Sequence, residues 1–370
     1  MYQILIYIVI LFSSIYLLNI ARFILGFIKN NNNIYQYDKL PPISVIIAVK
    51  NGEKNLHRML DQLSKQTYSG DMEFIIVNDK STDNTKKIIN DYCIGDIRFK
   101  YVSSKQGASY LNHKKKALDA GIKSSRYEHL LFTDIDCIIQ LKWIDSMAAC
   151  FSKEVDYIVG HAYVSDRKSI LNKFQRVDLF MLLFSAKATI SLNTPWASTG
   201  QNQGYTRTLY NKLCGFKKLA SYLQGDDTLF LQLAVKNGAN IIFNNNPDSY
   251  VISRTELSWK SLLYQRGRWS GDANLMWKFN LLFYLMAVSL WVMSISLISL
   301  LFLNQLDFLI IILLFKIILE GLLYSIGMVY FKEDIKYNDF LFWFIMHPIY
   351  VFIMGIFSFS NFKWKGKAIR

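Results

Sequence analysis

Long apolar runs at both ends of the chain constrain its fold more than any other feature. Residues 3–28 carry a single charge, Arg22, and residues 281–303 carry none. A helix of about 20 apolar residues crosses roughly 30 Å of hydrocarbon. The first run lacks the small-residue pattern of a cleaved signal peptide, so residues 1–29 are predicted to form a retained transmembrane helix.

The C-terminal region, residues 279–370, contains two more apolar runs. The first, residues 308–330, is predicted to cross the membrane although it includes Lys316 and Glu320. Residues four apart share one helix face, and charges in lipid are usually paired. We therefore interpret these two side chains as a neutralised pair that faces another helix.

The last apolar run, residues 340–360, is interrupted by His347-Pro348 and is followed by a basic tail. Three crossings after a cytoplasmic central region would leave that tail outside, against the positive-inside tendency. We therefore predict that the run is broken at Pro348 and is re-entrant or interfacial. A full third crossing is the alternative.

Between these ends, a linker at residues 30–40 leads into a soluble region, residues 41–278. The net charge of +14 would suit a nucleic-acid partner, but no recognised nucleic-acid motif accompanies it. Anionic lipid and a nucleotide diphosphate explain the charge more economically. The four cysteines lack metal-ligand spacing and are predicted to be reduced thiols; they are Cys93, Cys137, Cys150 and Cys214.

Strand and helix patterns alternate through the first part of the soluble region, which predicts an α/β fold with a doubly wound, mostly parallel sheet. Ligands of such sheets gather beyond the carboxyl ends of the strands. After Asp145 the pattern becomes mixed. The predicted strands are 43–49, 73–77, 97–102, one that ends at 133, and one near 156–164; the predicted helices are 53–66, one from 81 or 82, 114–122, 170–190 and one from 227; a loop is predicted at 193–203.

Two acidic pairs are candidates for chemistry. Asp134 and Asp136 follow an apolar strand, and on an extended backbone they would point to one side, where oxygen ligands suit a hard divalent cation. Asp226-Asp227 opens a helix, where an acidic pair complements the helix dipole or supplies a general base. Asp79, at the end of another strand, can accept hydrogen bonds from a base or ribose.

A third cluster, Gln265-Arg266-Gly267-Arg268-Trp269, lies just before the apolar run that opens at Leu281. Guanidinium suits a diphosphate and indole suits a sugar face. The alternative is an interfacial belt in which Trp269 and the arginines contact lipid headgroups.

In the order of these motifs, from about Pro42 to Trp269, the sequence resembles the family 2 inverting glycosyltransferases. It is most similar to the membrane-embedded branch that contains cellulose, chitin, hyaluronan and poly-N-acetylglucosamine synthases and ceramide glucosyltransferases. The resemblance implies a GT-A fold with flanking transmembrane helices, a nucleotide-sugar donor, and Mg2+ or Mn2+ as cofactor.

The resemblance also implies roles for individual residues. Asp227 would be the catalytic base and Asp136 the metal ligand. His113-Lys114 followed by Ala117-Leu118 resembles a donor-contacting motif of the family, and Gly200-Gln201-Asn202 resembles an acceptor-side segment. The implied substrate-binding residues are Asp79, Lys114, Asp134, Asn202, Asp226, Gln265, Arg268 and Trp269.

We therefore expect a multi-pass protein of the cell (inner) membrane with a cytoplasmic catalytic domain. It would transfer a hexose or N-acetylhexosamine from a UDP sugar to a polysaccharide or lipid acceptor in one metal-assisted displacement. A secretion channel would need more crossings than this chain offers, unless chains associate as an oligomer or with partner subunits. A non-catalytic nucleotide-sugar-binding membrane adaptor is the alternative from another class.

Overall fold

The chain divides into two units, each assembled from separated segments. The sheet unit comprises residues 31–165 and 197–254, and the helical unit comprises residues 1–30, 166–196 and 255–370. The computed structural model describes residues 2–29, 40–151, 154–165, 168–359, 363–364 and 367–368. The predicted boundaries at 40 and 278 assumed contiguous domains, whereas residues 166–196 and 255–278 group with the terminal helices.

The sheet unit contains the alternating strands and helices expected from the sequence. Its strands are β1 (Ile43–Val49), β2 (Met72–Asn78), β3 (Phe99–Ser103), β4 (His129–Phe132), β5 (Ile138–Ile139), β6 (Tyr157–Gly160), β7 (Ala162–Val164), β8 (Gln203–Thr206), β9 (Ile241–Asn244) and β10 (Val251–Ser253). Its helices are α2 (Glu53–Ser64), α3 (Thr85–Gly95), α4 (His113–Ser124), α5 (Trp143–Ala148), α7 (Arg207–Lys212) and α8 (Thr228–Lys236).

A seven-stranded sheet with the order β3-β2-β1-β4-β8-β6-β9 forms the centre of this unit. β8 runs antiparallel to its neighbours β4 and β6, and the other pairings are parallel. β1 is buried along almost its whole length, as its β-branched sequence predicts. The chain winds from β1 outwards to β3 and returns to β4 on the other side of β1, so the switch point lies between β1 and β4.

Two local predictions were wrong at the carboxyl edge of this sheet. The helix expected to open at Ser81 or Thr82 begins at Thr85. The amide of Asn51 donates to Ser81 Oγ, and the Thr82 amide donates to Asn51 Oδ1, both at 2.9 Å. These polar groups therefore tie two neighbouring loops together instead of capping a helix.

The second error concerns the acidic pair after β4. The strand ends at Phe132, and the amide of Cys137 donates to the carbonyl of Asp134 at 3.1 Å. Asp134 and Asp136 thus lie in a turn, so period-two alternation does not describe their directions. The strand expected near 156–164 is likewise divided into β6 and β7, which belong to different sheets.

The helical unit contains the predicted N-terminal helix and the C-terminal apolar segments. Its elements are α1 (Tyr2–Ile28), α6 (Ile170–Ser191), α9 (Trp259–Phe279), α10 (Leu281–Phe302), α11 (Leu306–Phe331), α12 (Tyr337–Phe359), and the short strands β11 (Lys363–Trp364) and β12 (Lys367–Ala368). α1 and α6 approach closely at Gly26, where an added Cβ would lie 2.5 Å from the carbonyl oxygen of Ala188. Only glycine fits there without a backbone shift.

A buried polar network joins three helices of this unit. Lys316 Nζ donates to Glu320 Oε2 at 2.6 Å, and both side chains are fully buried. The hydroxyl of Tyr16, on α1, also donates to Glu320, and the Lys316 ammonium lies 4.2 Å from the ring centroid of Phe344 on α12. The predicted neutralised pair on one helix face is confirmed.

Three helices in the described part of the chain are long and apolar enough to cross a membrane: Ile6–Ile28, Leu281–Phe302 and Tyr337–Phe357. α11 is not among them, so a crossing at residues 308–330 stays a prediction, as does the side on which the basic tail lies. Most of the predicted linker, residues 30–39, and part of the tail fall outside the described residues.

The break expected at Pro348 is wrong. α12 continues through Pro348 from Tyr337 to Phe359. Proline removes one backbone donor, and ring contacts lie on both sides of it, because His347 stacks on Trp343 and on Tyr350. His347 is buried and stacks on Trp343 with 4.1 Å between ring centroids.

The buried network makes a prediction about stability. Glu320→Leu leaves the Lys316 ammonium buried without its counter-ion and should lower the free energy of unfolding by about 3 kcal/mol or more. The double variant Lys316→Met/Glu320→Leu removes both charges and should regain most of that loss. Thermal unfolding of the full chain in detergent measures both; a single variant as stable as the double variant would contradict the prediction.

Candidate active site

Three segments of the sheet unit converge beyond the carboxyl end of β4. They are the turn with Asp134 and Asp136, the first turn of α4 with Lys114, and the start of α8 with Asp226 and Asp227. Lys114 Nζ lies 2.9 Å from Asp134 Oδ1 and 3.0 Å from Asp226 Oδ2. The structure thus brings together most of the residues predicted from two distant acidic motifs and one lysine.

Lys114 has an unusual position for a cation. It lies in the first turn of α4, where the helix dipole favours negative charge. Burial acts to lower the pKa of Lys114, but the carboxylates of Asp134 and Asp226 outweigh it and hold that pKa well above its ordinary value. The ammonium therefore stays charged and bridges the two acidic motifs.

Asp227 is the N-cap residue of α8 and is held by two backbone amides. Its Oδ1 accepts from the Thr228 amide at 2.6 Å, and its Oδ2 accepts from the Gly200 amide at 3.1 Å. Burial and repulsion from Asp226 raise the pKa of Asp227 to about 6. A carboxylate with that pKa is mostly ionised at neutral pH and is more basic than an ordinary aspartate.

Asp226 has the opposite electrostatic environment. Burial acts to raise the pKa of Asp226, but Lys114 outweighs it and keeps that pKa below its ordinary value. The two adjacent carboxylates therefore differ in proton affinity, with Asp226 fixed as an anion and Asp227 able to exchange a proton. This separation is typical of paired carboxylates that perform different tasks.

Gly200 allows the loop before β8 to approach this cluster. A Cβ at this position would lie 3.0 Å from Lys114 Nζ and 3.5 Å from the Oδ2 atoms of Asp226 and Asp227. A side chain would therefore press against the ammonium, whereas its contacts with the two carboxylates would be ordinary van der Waals contacts. The residue acts through its backbone amide, which reaches Asp227.

Asp136 is the predicted metal ligand. Burial and the charge of Asp134 raise the pKa of Asp136, although Arg254, 3.7 Å away, opposes this. Its raised pKa marks a carboxylate whose charge is incompletely neutralised, and its oxygens are the ligands that Mg2+ and Mn2+ prefer.

The described residues contain no group of three or more His, Cys, Asp or Glu side chains arranged to hold a metal ion. Asp136 is therefore a candidate for one protein ligand and not part of a preformed ligand cluster among the described residues.

Asp79 follows β2 at the same edge of the sheet. β2 and β4 flank β1, so the ends of these strands are about 10 Å apart. The Asp79 side chain is partly exposed and makes no hydrogen bond or ion pair with any described residue. The carboxylate is therefore partly accessible, and its contact with a nucleoside stays a prediction.

The predicted contact between Asn202 and a sugar does not fit its position. The side chain is fully buried. Its Nδ2 donates to the carbonyls of His161 and Ser249, both at 2.8 Å, and its Oδ1 accepts from Trp143 Nε1 at 3.0 Å. Asn202 is a structural bridge among three segments of the sheet unit.

Gln265, Arg268 and Trp269 belong to the helical unit, where they share one side of α9 at positions i, i+3 and i+4. All three are partly buried. Gln265 Nε2 donates to Glu256 Oε1 at 3.3 Å. The guanidinium of Arg266 lies 4.0 Å from the ring centroid of Trp269.

Two residues near the cluster were missed in the sequence. Arg254 directly follows β10 and lies near Asp136. Its position after a short β-rich run is the feature of the sequence that could have indicated it. Lys115 is 1% exposed, and its ammonium donates to the carbonyls of Tyr222 and Gln224 at 2.5 and 2.6 Å. It therefore fixes the loop that leads to Asp226.

Comparisons with known proteins agree with this geometry. Residues 44–214 match the family model described as Glycosyl transferase family 2. Poly-beta-1,6-N-acetyl-D-glucosamine synthase of Staphylococcus epidermidis is 28% identical over 160 residues, which are 42% of this chain and 37% of that protein. The putative glycosyltransferase EpsH of Bacillus subtilis is 32% identical over 120 residues, 32% of this chain and 33% of that protein. The chain thus spans about a third of the length of these relatives.

A solved structure resembles nearly the whole chain. It is the mannosyltransferase PcManGT from Pyrobaculum calidifontis in complex with GDP-Man and Mn2+, with a TM-score of 0.66, 15% identity, and coverage of 98% of this chain and 99% of that chain. At this identity the likeness concerns the fold. The predicted GT-A fold with flanking apolar helices is confirmed.

The role of Lys115 is testable with its neighbour as a control. Lys115→Met removes the buried ammonium that donates to the carbonyls of Tyr222 and Gln224 and should lower the free energy of unfolding by about 1–3 kcal/mol. Lys116→Met, one position along α4 and only partly buried, should change it by less than about 0.5 kcal/mol. Thermal unfolding compares the two variants. Equal losses of stability would contradict the conclusion that Lys115 fixes the loop before Asp226.

Proposed function

We propose that this chain, which carries a glycosyl transferase family 2 domain at residues 44–214, is a membrane-anchored inverting glycosyltransferase. It transfers a hexose or N-acetylhexosamine from a UDP sugar to a polysaccharide or lipid acceptor. The single observation that carries the proposal is the Asp226-Asp227 pair beside Lys114: Asp226 is buried and lies 3.0 Å from the ammonium, whereas Asp227 is half-buried and has a pKa raised to about 6.

Asp227 acts as the general base in this proposal. The acceptor hydroxyl attacks the anomeric carbon from the face opposite the diphosphate and transfers its proton to Asp227. A new carbon–oxygen bond forms as the bond to the diphosphate oxygen breaks, so one displacement inverts the configuration. The amides of Thr228 and Gly200 support this role because they fix both carboxylate oxygens.

The donor substrate and its leaving diphosphate are assigned to the remaining residues of the cluster. Lys114 contacts donor phosphate or sugar with Asp134, and Asp79 binds the nucleoside. Mg2+ or Mn2+ would be held by Asp136 and, when bound, would neutralise charge that develops on the departing diphosphate. PcManGT, a structural neighbour, was solved with Mn2+ and a nucleotide sugar, which supports this assignment.

Three residues of α9 have proposed roles that rest on the resemblance of their motif to that of the family. Arg268 contributes a cation to the diphosphate, and Gln265 and Trp269 frame the acceptor. The named activity of the Staphylococcus epidermidis relative supports a polysaccharide acceptor, while a single transfer to a lipid remains the competing form of the same reaction. Three apolar helices support a multi-pass membrane protein, and we propose that it lies in the cell membrane with the sheet unit in the cytoplasm.

The first test removes the base. Asp227→Asn should reduce transfer by about 10²- to 10⁴-fold while donor affinity stays within a few-fold, because the amide keeps the shape but accepts no proton. Asp91→Asn, an exposed position on α3, is the matched control and should leave transfer unchanged. Transfer at the wild-type rate by Asp227→Asn would exclude Asp227 as the base.

The second test uses pH. A base must be ionised, so transfer should fall as the pH drops through about 6, the pKa of Asp227. Lys114 lowers this pKa, so Lys114→Met should move the acidic limb of the rate profile to higher pH. Rates at saturating donor measure the effect; an acidic limb that persists unchanged in the residual activity of Asp227→Asn would contradict the assignment.

The third test concerns donor and metal. Membranes or purified protein are incubated with UDP-glucose, UDP-N-acetylglucosamine, UDP-galactose or GDP-mannose, with EDTA or with Mn2+, and the labelled products are sized. We expect transfer from one UDP sugar that EDTA abolishes and Mn2+ restores. Long products indicate a polymerase and one labelled lipid indicates single transfer. Donor binding without any transfer would identify a nucleotide-sugar-binding adaptor instead.

A further inference from the structure

A buried ion pair in the helical unit lies directly behind Trp269. Arg266 Nη2, on α9, is 2.9 Å from Asp178 Oδ2, on α6. The two side chains are only 4% and 5% exposed. Neither residue was among the predicted site residues, and neither has a role in the transfer described above.

The same guanidinium also covers the indole of Trp269. Its central carbon lies 4.0 Å from the ring centroid, and the two residues are three positions apart on α9. Trp269 itself is only partly buried. The order from the interior outwards is therefore carboxylate, guanidinium and indole, with part of the indole left accessible.

A purely structural role, in which the ion pair links α6 to α9, does not explain why Arg266 also stacks on Trp269. A buried ion pair generally stabilises a fold no more than an apolar pair of similar volume. The Arg266 side chain also keeps two buried N–H groups, on Nε and Nη1, that have no hydrogen-bond acceptor among the described residues. Unsatisfied buried donors carry a cost, so the contacts that Arg266 does make need a further benefit.

The chemistry of arginine supplies that benefit. A planar guanidinium can pair with a carboxylate through its edge while its face stacks on an aromatic ring. A lysine ammonium keeps the charge but lacks the flat face. The ring orientation of Trp269 therefore depends on the plane of Arg266, which depends in turn on Asp178.

We infer that Asp178 and Arg266 are positioning residues that fix the indole of Trp269 so that its accessible face contacts the acceptor sugar. The inference rests on the proposed function, in which Trp269 frames the acceptor. A pyranose ring presents C–H groups on one face, and a fixed flat indole matches that face at low entropic cost. The pair thus sets affinity for the acceptor, whereas the donor is bound by other residues.

The test compares two substitutions of the pair in the full-length protein. Arg266→Lys keeps the charge and loses the stack; Asp178→Leu/Arg266→Met removes both charges and keeps apolar packing. Arg176→Lys is the matched control, because Arg176 is another buried arginine of the helical unit, whose Nη2 donates to the carbonyl of Asp334 at 2.8 Å. The acceptor probe is a β-1,6-linked N-acetylglucosamine oligosaccharide.

For Arg266→Lys we expect the KM for the acceptor probe to rise by about tenfold, with the donor KM within about twofold of wild type. The double variant should recover the thermal stability of wild type but not its acceptor KM. Arg176→Lys should lower thermal stability and leave the acceptor KM unchanged. If acceptor KM and thermal stability recover together in the double variant, the pair is structural and the inference is wrong.

A second measurement does not depend on catalysis. Hydroxyl-radical footprinting of Trp269, followed by mass spectrometry, should show at least about twofold faster oxidation in Arg266→Lys than in wild type, since a ring that has lost its stacking partner moves more freely. An unchanged oxidation rate overturns the inference. Absence of transfer by the wild-type protein would instead refute the proposed function, and the footprinting result would still decide whether the pair holds the ring.

Discussion

The ammonium of Lys114 between Asp134 and Asp226 is the interaction on which the candidate site depends. Four carboxylates, those of Asp134, Asp136, Asp226 and Asp227, lie in one region at the end of the sheet, and like charges at such distances repel. Lys114 compensates two of them directly at about 3 Å. The ammonium therefore attracts the turn after β4 and the start of α8 to the same point.

The same contact also makes the two adjacent aspartates different. Because Lys114 pairs with Asp226, that carboxylate stays ionised, and its fixed charge helps to raise the pKa of its neighbour Asp227. The loop at Gly200 then completes the environment of Asp227 through one amide. One lysine therefore holds the segments together and separates an anchored anion from a proton acceptor.

The sequence predicts most of the fold where local pattern and tertiary environment agree. β1, the long apolar helices and the alternation up to β4 follow directly from hydrophobic periodicity. Prediction from local sequence pattern fails where a residue that is typical of a helix end is instead used in a contact with a distant part of the chain. Ser81 and Thr82 look like helix caps but bind Asn51, and Pro348 looks like a break but lies in a helix supported by stacked aromatic rings.

The sequence predicts the candidate site only in part. Aspartates in short motifs could be identified because their chemistry is evident from residue type. Pairings such as Arg266 with Asp178, or Lys115 with the loop at Tyr222, join residues that are far apart in sequence, and no local pattern indicates them. Asn202 shows the converse error, since a motif resemblance assigned it to a ligand while the fold uses its amide internally.

The contact between Tyr16 and Glu320 has a consequence for biogenesis. The two residues are 304 positions apart, and the helical unit gathers its segments from the beginning, middle and end of the chain. During translation, α1 therefore emerges from the ribosome long before Glu320, which accepts the hydrogen bond from the Tyr16 hydroxyl. Translation must pass beyond Glu320 before α1 can reach its final polar partner, so a nascent chain that stops earlier retains an incompletely assembled helical bundle.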